Sequence, residues 1–175
     1  MKLRVLILSL ASLLLVTLLA QLNHTLGPWQ LHVWCGGLFV AFAALRLDFR
    51  TGAAAAFVGG LLLDAGAPVA FGTHALLFLA AHAVIFNVRA RVPRDETIIG
   101  VIAALLANLG LFVALSFLRV DLGPDTGGAW MRNFADLLVS QLVLVLVAPW
   151  FFAVQTRLLQ LGGTQLRDAS RSGAL

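Results

Sequence analysis

The chain is short of charge. Only 11% of its 175 residues are Asp, Glu, Lys or Arg, where a soluble globular domain carries about a quarter. It has one cysteine, Cys35, which rules out an intrachain disulfide and a thiolate-rich metal site. No His-Glu-x-x-His, Gly-x-Ser-x-Gly elbow or Walker loop is present, so the common zinc-protease, hydrolase and nucleotide-binding motifs are missing. No internal repeat and no polar stretch of domain length appears either.

What fills the sequence is apolar. Ala, Val, Ile, Leu, Met, Phe, Trp and Cys make up 61% of it, and the mean hydropathy is +0.97. A water-soluble fold of this size has too little interior to hide that much apolar surface. Disorder is excluded by the same composition. An integral membrane protein is the expectation. The net charge is +4 and the isoelectric point about 11.0, but the basic residues stand in small groups between apolar stretches. That pattern belongs to membrane topology and not to nucleic-acid binding.

A span requires about 20 apolar residues to cross about 30 Å of hydrocarbon. Six stretches qualify: 3–22, 28–47, 51–66, 71–89, 97–118 and 134–157. The third is short and Ala-rich, and charge tests it. With six spans and the N-terminus inside, ten of the twelve basic residues are cytoplasmic and only Arg119 and Arg132 fall outside. Without the third span the division becomes six to six. The positive-inside rule therefore predicts six spans with both termini cytoplasmic. The first stretch lacks a small-x-small cleavage site after its apolar run, so it reads as a retained helix.

Finer features follow from this layout. Trp29, Trp34 and Trp130 fall near the outer boundary and Trp150 nearer the inner one, as an aromatic belt requires. Pro28 suits the first turn of the second helix, and Pro149 should kink the sixth. Pairs such as Ala56/Gly60 and Gly100/Ala104 permit close helix contact. Residues 119–133 read as an exposed outer turn, residues 1–161 as one membrane domain, and 162–175 as a mobile tail.

Polar groups at membrane depth are costly, so they are the first places to look for function. His32, Asp64, His74 and Asp136 fall at the outer side; His82 and Asn108 lie near mid-depth, and Gln141 lies in the sixth span. His74 and His82 are eight apart in one helix. That turns them about 80° from each other and separates them by about 12 Å, so they cannot share a metal. Interhelical hydrogen bonds are the simplest role for His82, Asn108 and Gln141, with a polar channel lining as the other reading of the two amides. Asp136 reads as an interfacial residue at the start of the sixth helix that complements its dipole, or as a further interhelical contact. Asp64 has two readings: a cap for the following loop, or an anchor for that loop or for a partner's basic residue. Arg89, Arg91 and Arg94 form a topology signal that also suits anionic lipid headgroups.

The most distinctive segment is Gly59–Leu79, GGLLLDAGAPVAFGTHALLFL. A helix ends at Asp64, a turn contains Gly66 and Pro68, and a new helix starts near Gly72. This pattern resembles the bacterial rod shape-determining MreD family, at Gly60, Leu61, Leu62, Asp64, Pro68, Gly72, Ala75 and Leu76. The sixth span is similar as well, in Leu137–Gln141 and in Ala148-Pro149. Gly66-Ala67-Pro68 and Val69-Ala70-Phe71 depart from the more Gly- and Ser-rich turn of many members.

The resemblance implies a six-helix fold similar to the substrate-binding subunits of energy-coupling-factor transporters. It also implies a noncatalytic inner-membrane role without a cofactor. The partner would be an MreC-like single-span protein. Indirect links would run to the MreB filament and the peptidoglycan transglycosylase–transpeptidase pair. Gly60, Asp64, Pro68, Gly72 and His74 would form the partner interface or a structural turn. Pairing with a second copy and contact with membrane lipids stay open. A vitamin-transporter subunit is the alternative, although no two small residues of the first span (Ser9, Ala11, Ser12, Thr17, Ala20) are four apart. An enzyme acting on lipids through Asp64, His74 and His32 would need all three within reach of one substrate atom.

Overall fold

The structure is a computed structural model that describes residues 2–67, 69–89, 97–119 and 126–161. Six α-helices and one 3-10 turn account for nearly all of these residues, with no strand among them. The helices are α1 (Lys2–Leu26), α2 (Gly36–Arg46), α3 (Phe49–Asp64), α4 (Thr73–Val88), α5 (Thr97–Arg119) and α6 (Thr126–Leu161). The 3-10 turn, Gly27–Trp29, follows α1.

Three stretches are long and apolar enough to cross a bilayer: Ser9–Trp29, Ile98–Leu118 and Gly127–Gln160, with mean hydropathies of 1.4, 2.6 and 2.4. Their outward faces are apolar. Leu6, Leu10, Leu14 and Leu18 are exposed at every fourth position of α1, as are Leu138, Leu142, Leu146 and Trp150 on α6. The polar side chains Asn108, Ser140, His74, His82, Asp64 and Gln155 are buried instead. Apolar outside and polar inside is the arrangement for a hydrocarbon solvent, and the protein is membrane-embedded.

At the centre stands α2, with every residue from Gly36 to Ala44 buried. It packs against α3, α4, α5 and α6. At 11 residues it is only about 16 Å long, roughly half the hydrocarbon thickness. The expected span 28–47 is thus corrected: Pro28 sits in the 3-10 turn, residues 31–35 are non-helical, and the helix starts at Gly36. The chain turns at Gln30, whose φ of 54° is left-handed and whose N–H donates to the Gly27 carbonyl at 2.9 Å. The sixth helix also differs from expectation. It begins at Thr126, so residues 126–133 of the expected outer turn are helical and Asp136 lies ten residues inside α6. Trp34 leaves the expected aromatic belt for the interior, 7% exposed and in contact with Phe78 and Phe112.

Glycines set the closest helix approaches. A methyl group on Gly37 would collide with the α5 backbone at Ala104 and Asn108, and one on Gly60 with the α4 backbone at Ala75. Ring edges of Phe42 and Phe39 meet Phe152 and Phe151 of α6 at 5.4 and 5.8 Å between centroids, filling the space around α2. The tail 162–175, Pro68, Arg91 and Arg94 lie outside the described residues.

Candidate functional site

The break before α2 leaves backbone groups without helical partners, and those inside the protein must find them elsewhere. Four side chains from three helices meet this need. Asn23 of α1 accepts from the Val33 N–H at 2.7 Å and donates to the Val33 carbonyl at 2.9 Å. Asp136 Oδ1 accepts from the His32 N–H at 2.8 Å. Ser140 Oγ accepts from the Trp34 N–H at 2.9 Å. Asn108 Oδ1 accepts from the Gly37 N–H at 3.1 Å, while its Nδ2 donates to the Trp34 carbonyl at 3.2 Å. An Asn amide offers a donor and an acceptor side by side, which is what one extended peptide unit demands.

Beside this segment lies a second polar unit, built by the α3–α4 hairpin. Asp64 closes α3 and is 4% exposed. Its Oδ2 accepts from the N–H groups of Gly72 at 3.0 Å and Ala75 at 3.2 Å. Its Oδ1 accepts from the His74 N–H at 2.9 Å and lies 2.7 Å from His74 Nδ1. Gly72 occupies the residue before α4 with φ 97°, a left-handed conformation that favours glycine, and offers no capping side chain. Asp64 therefore caps α4 from the preceding helix, and its negative charge suits the positive end of the α4 dipole. Gly60 lets α3 lie close enough for this reach. Gly60, Asp64, Gly72 and His74 thus come together in one clasp. The imidazole of His74 lies 6.4 Å from the Trp34 ring, which joins the clasp to the polar segment before α2.

A small cavity of about 50 Å³ opens at this end, lined by His32, Trp34, Phe112, Ser116, Asn133 and Asp136 among others. Asp64 is not among its lining residues. No three His, Cys, Asp or Glu side chains come together to hold a metal among the described residues.

The remaining candidates are dispersed. Gln141 Nε2 donates to the Leu105 carbonyl at 3.1 Å, linking α6 to α5. His82 is fully buried beside Phe49 and Phe86, and neither ring nitrogen has a hydrogen-bond partner among the described residues. Arg89 reaches the opposite end of the bundle from the clasp. Its Nη1 donates to the carbonyls of Ala44 and Leu47, both at 2.6 Å, and its guanidinium lies over the Phe86 ring. Arg89 thus closes the C-terminus of α2. Asn23 and Ser140 were not singled out from sequence. Gly27-Pro28 and Gly36-Gly37 bracket the break in the sequence, but no sequence signal picks out Asn23 and Ser140 as its partners.

Comparison of the chain with family models, with curated proteins and with solved structures gives no match.

Proposed function

We propose that this chain is a noncatalytic multi-pass component of the bacterial inner membrane that serves cell elongation in the manner of MreD-like proteins. It would span the bilayer six times with both termini cytoplasmic. It would hold the membrane segment of an MreC-like partner, and through that partner influence the MreB filament and the peptidoglycan-synthesising pair. The observation that supports this reading is the use made of the segment Gly59–Leu79. Four of the residues that carry the resemblance, Gly60, Asp64, Gly72 and Ala75, take part in clasping α3 to α4, with the Asp64 carboxylate committed to the backbone of Gly72, His74 and Ala75 and to the His74 ring. A carboxylate so committed serves shape, and the shape is a rigid hairpin whose outward face carries Phe71, Leu76 and Val84. An apolar, preorganised face of this kind suits a partner helix in lipid.

Mild-detergent purification of the chain from its native membrane, followed by mass spectrometry, tests the reading. An MreC-like single-span protein in near-equal amount is the expected result, and Leu76→Trp on the exposed face should reduce its recovery without unfolding the bundle. Recovery of an ATPase module, or of a vitamin-sized ligand alone, overturns it in favour of a transporter subunit.

A further inference from the structure

At the end of the bundle opposite the clasp, a cleft of about 330 Å³ lies between the last turn of α2 and the C-terminal part of α6. Its lining changes character along α6. Pro149, Phe152 and Ala153 form one part, and Thr156 and Arg157, joined by Arg46 of α2, form the other. Eight residues separate Pro149 from Arg157, about 12 Å along the helix axis. Among the described residues no carboxylate lines the cleft. Neither Arg46 nor Arg157 makes an ion pair or side-chain hydrogen bond among the described residues. The carbonyls at the end of α2, which would otherwise attract Arg46, are taken by Arg89 at Ala44 and Leu47.

We propose that this cleft binds one anionic phospholipid, its phosphate between Arg46 and Arg157 and its glycerol and upper acyl carbons along Pro149, Phe152 and Ala153. Two guanidiniums without counter-charges among the described residues match a phosphate diester, for which Arg supplies paired donors. A bare phosphate ion would fill only part of the volume and would leave the apolar wall uncovered. Thr156 adds a hydroxyl on the charged side. The inference is separate from the proposed partner role, because cleft and clasp share no residue.

Native mass spectrometry of the full chain in mild detergent, with phosphatidylglycerol and phosphatidylcholine supplied in equal amounts, provides the test. One retained phosphatidylglycerol is expected. Its preference over phosphatidylcholine should fall by about tenfold or more in Arg46→Gln/Arg157→Gln, since each surface arginine contributes strongly to anionic-lipid binding. Ala153→Trp fills the apolar part at an exposed position without changing charge, and should also expel the lipid. Arg50→Gln/Arg132→Gln, which removes the same charge elsewhere, should leave it bound. Retention in Ala153→Trp, or equal loss in the Arg50/Arg132 variant, overturns the site. Displacement of the lipid by millimolar inorganic phosphate also overturns it, because the phosphate alone would then be the ligand.

Discussion

The side chain of Asn108 sits across the first turn of α2, its oxygen accepting from the N–H of Gly37 and its NH₂ donating a hydrogen bond to the carbonyl of Trp34. A methyl on Gly37 would strike the backbone of Asn108 itself, so the glycine and the amide are fitted to each other. Asn108→Leu keeps the volume and removes both bonds, leaving two buried backbone groups without partners. Each orphaned group costs about 1–3 kcal/mol, so a loss of about 2–5 kcal/mol is expected in detergent unfolding. An unchanged melting temperature would show that the broken start of α2 is held by other means.

The Asp64 clasp separates charge from hydrogen-bonding capacity. Asp64→Ala removes the acceptor for three backbone N–H groups and for His74, and should cost about 3 kcal/mol or more. Asp64→Asn keeps one acceptor oxygen but brings an NH₂ against backbone donors, so it should be nearly as damaging. Hydrogen exchange at Gly72, His74 and Ala75 reads the effect at the cap itself. Protection unchanged in both variants would remove Asp64 from the account of how α4 begins.

Helix spacing gives a paired test. Gly60→Ala places a methyl against the α4 backbone at Ala75, which cannot swing aside, whereas nothing lies within 4 Å of a methyl added at Gly110. Gly60→Ala should lower stability by about 1–3 kcal/mol through overpacking. Gly110→Ala should raise it by up to about 1 kcal/mol through helix propensity. The two changes are chemically identical, so equal effects would contradict the close α3–α4 contact.

Periodicity and charge made much of this architecture legible. An all-helical membrane protein follows from composition, and the ends of α3 and α4 fall within two residues of the expected spans 51–66 and 71–89. Asp64 was legible as a cap because a carboxylate before a Gly-containing turn has backbone donors close at hand. The broken second helix was not. Residues 28–47 are apolar enough to pass for one span, and hydropathy is blind to whether a peptide N–H finds its acceptor in the same helix or in another. The information lay in Asn23 on α1, Asn108 on α5 and the Asp136–Ser140 turn of α6, far apart in sequence and brought together only by packing. Trp34 falls near the outer boundary by its place in the expected second span, whereas the break turns its ring inward against His74 and Phe78.

Two glutamines on α6 should respond to the same substitution with opposite sign. Gln155 is fully buried, and neither its amide nitrogen nor its oxygen has a hydrogen-bond partner among the described residues. Gln141 donates to the Leu105 carbonyl. Methionine is close to glutamine in length and flexibility and carries no strong polar atom. In Gln155→Met the folded state sheds two unsatisfied buried groups, so a gain of about 1–2 kcal/mol is expected. In Gln141→Met a bond between α5 and α6 disappears together with an amide oxygen that has no partner among the described residues, so a loss of no more than about 0.5 kcal/mol is expected. Thermal unfolding of both variants in one detergent cancels differences in the reference state. If Gln155→Met is the destabilised one, its amide has a partner in the membrane, and a water or a second chain reaches the interior beside α6.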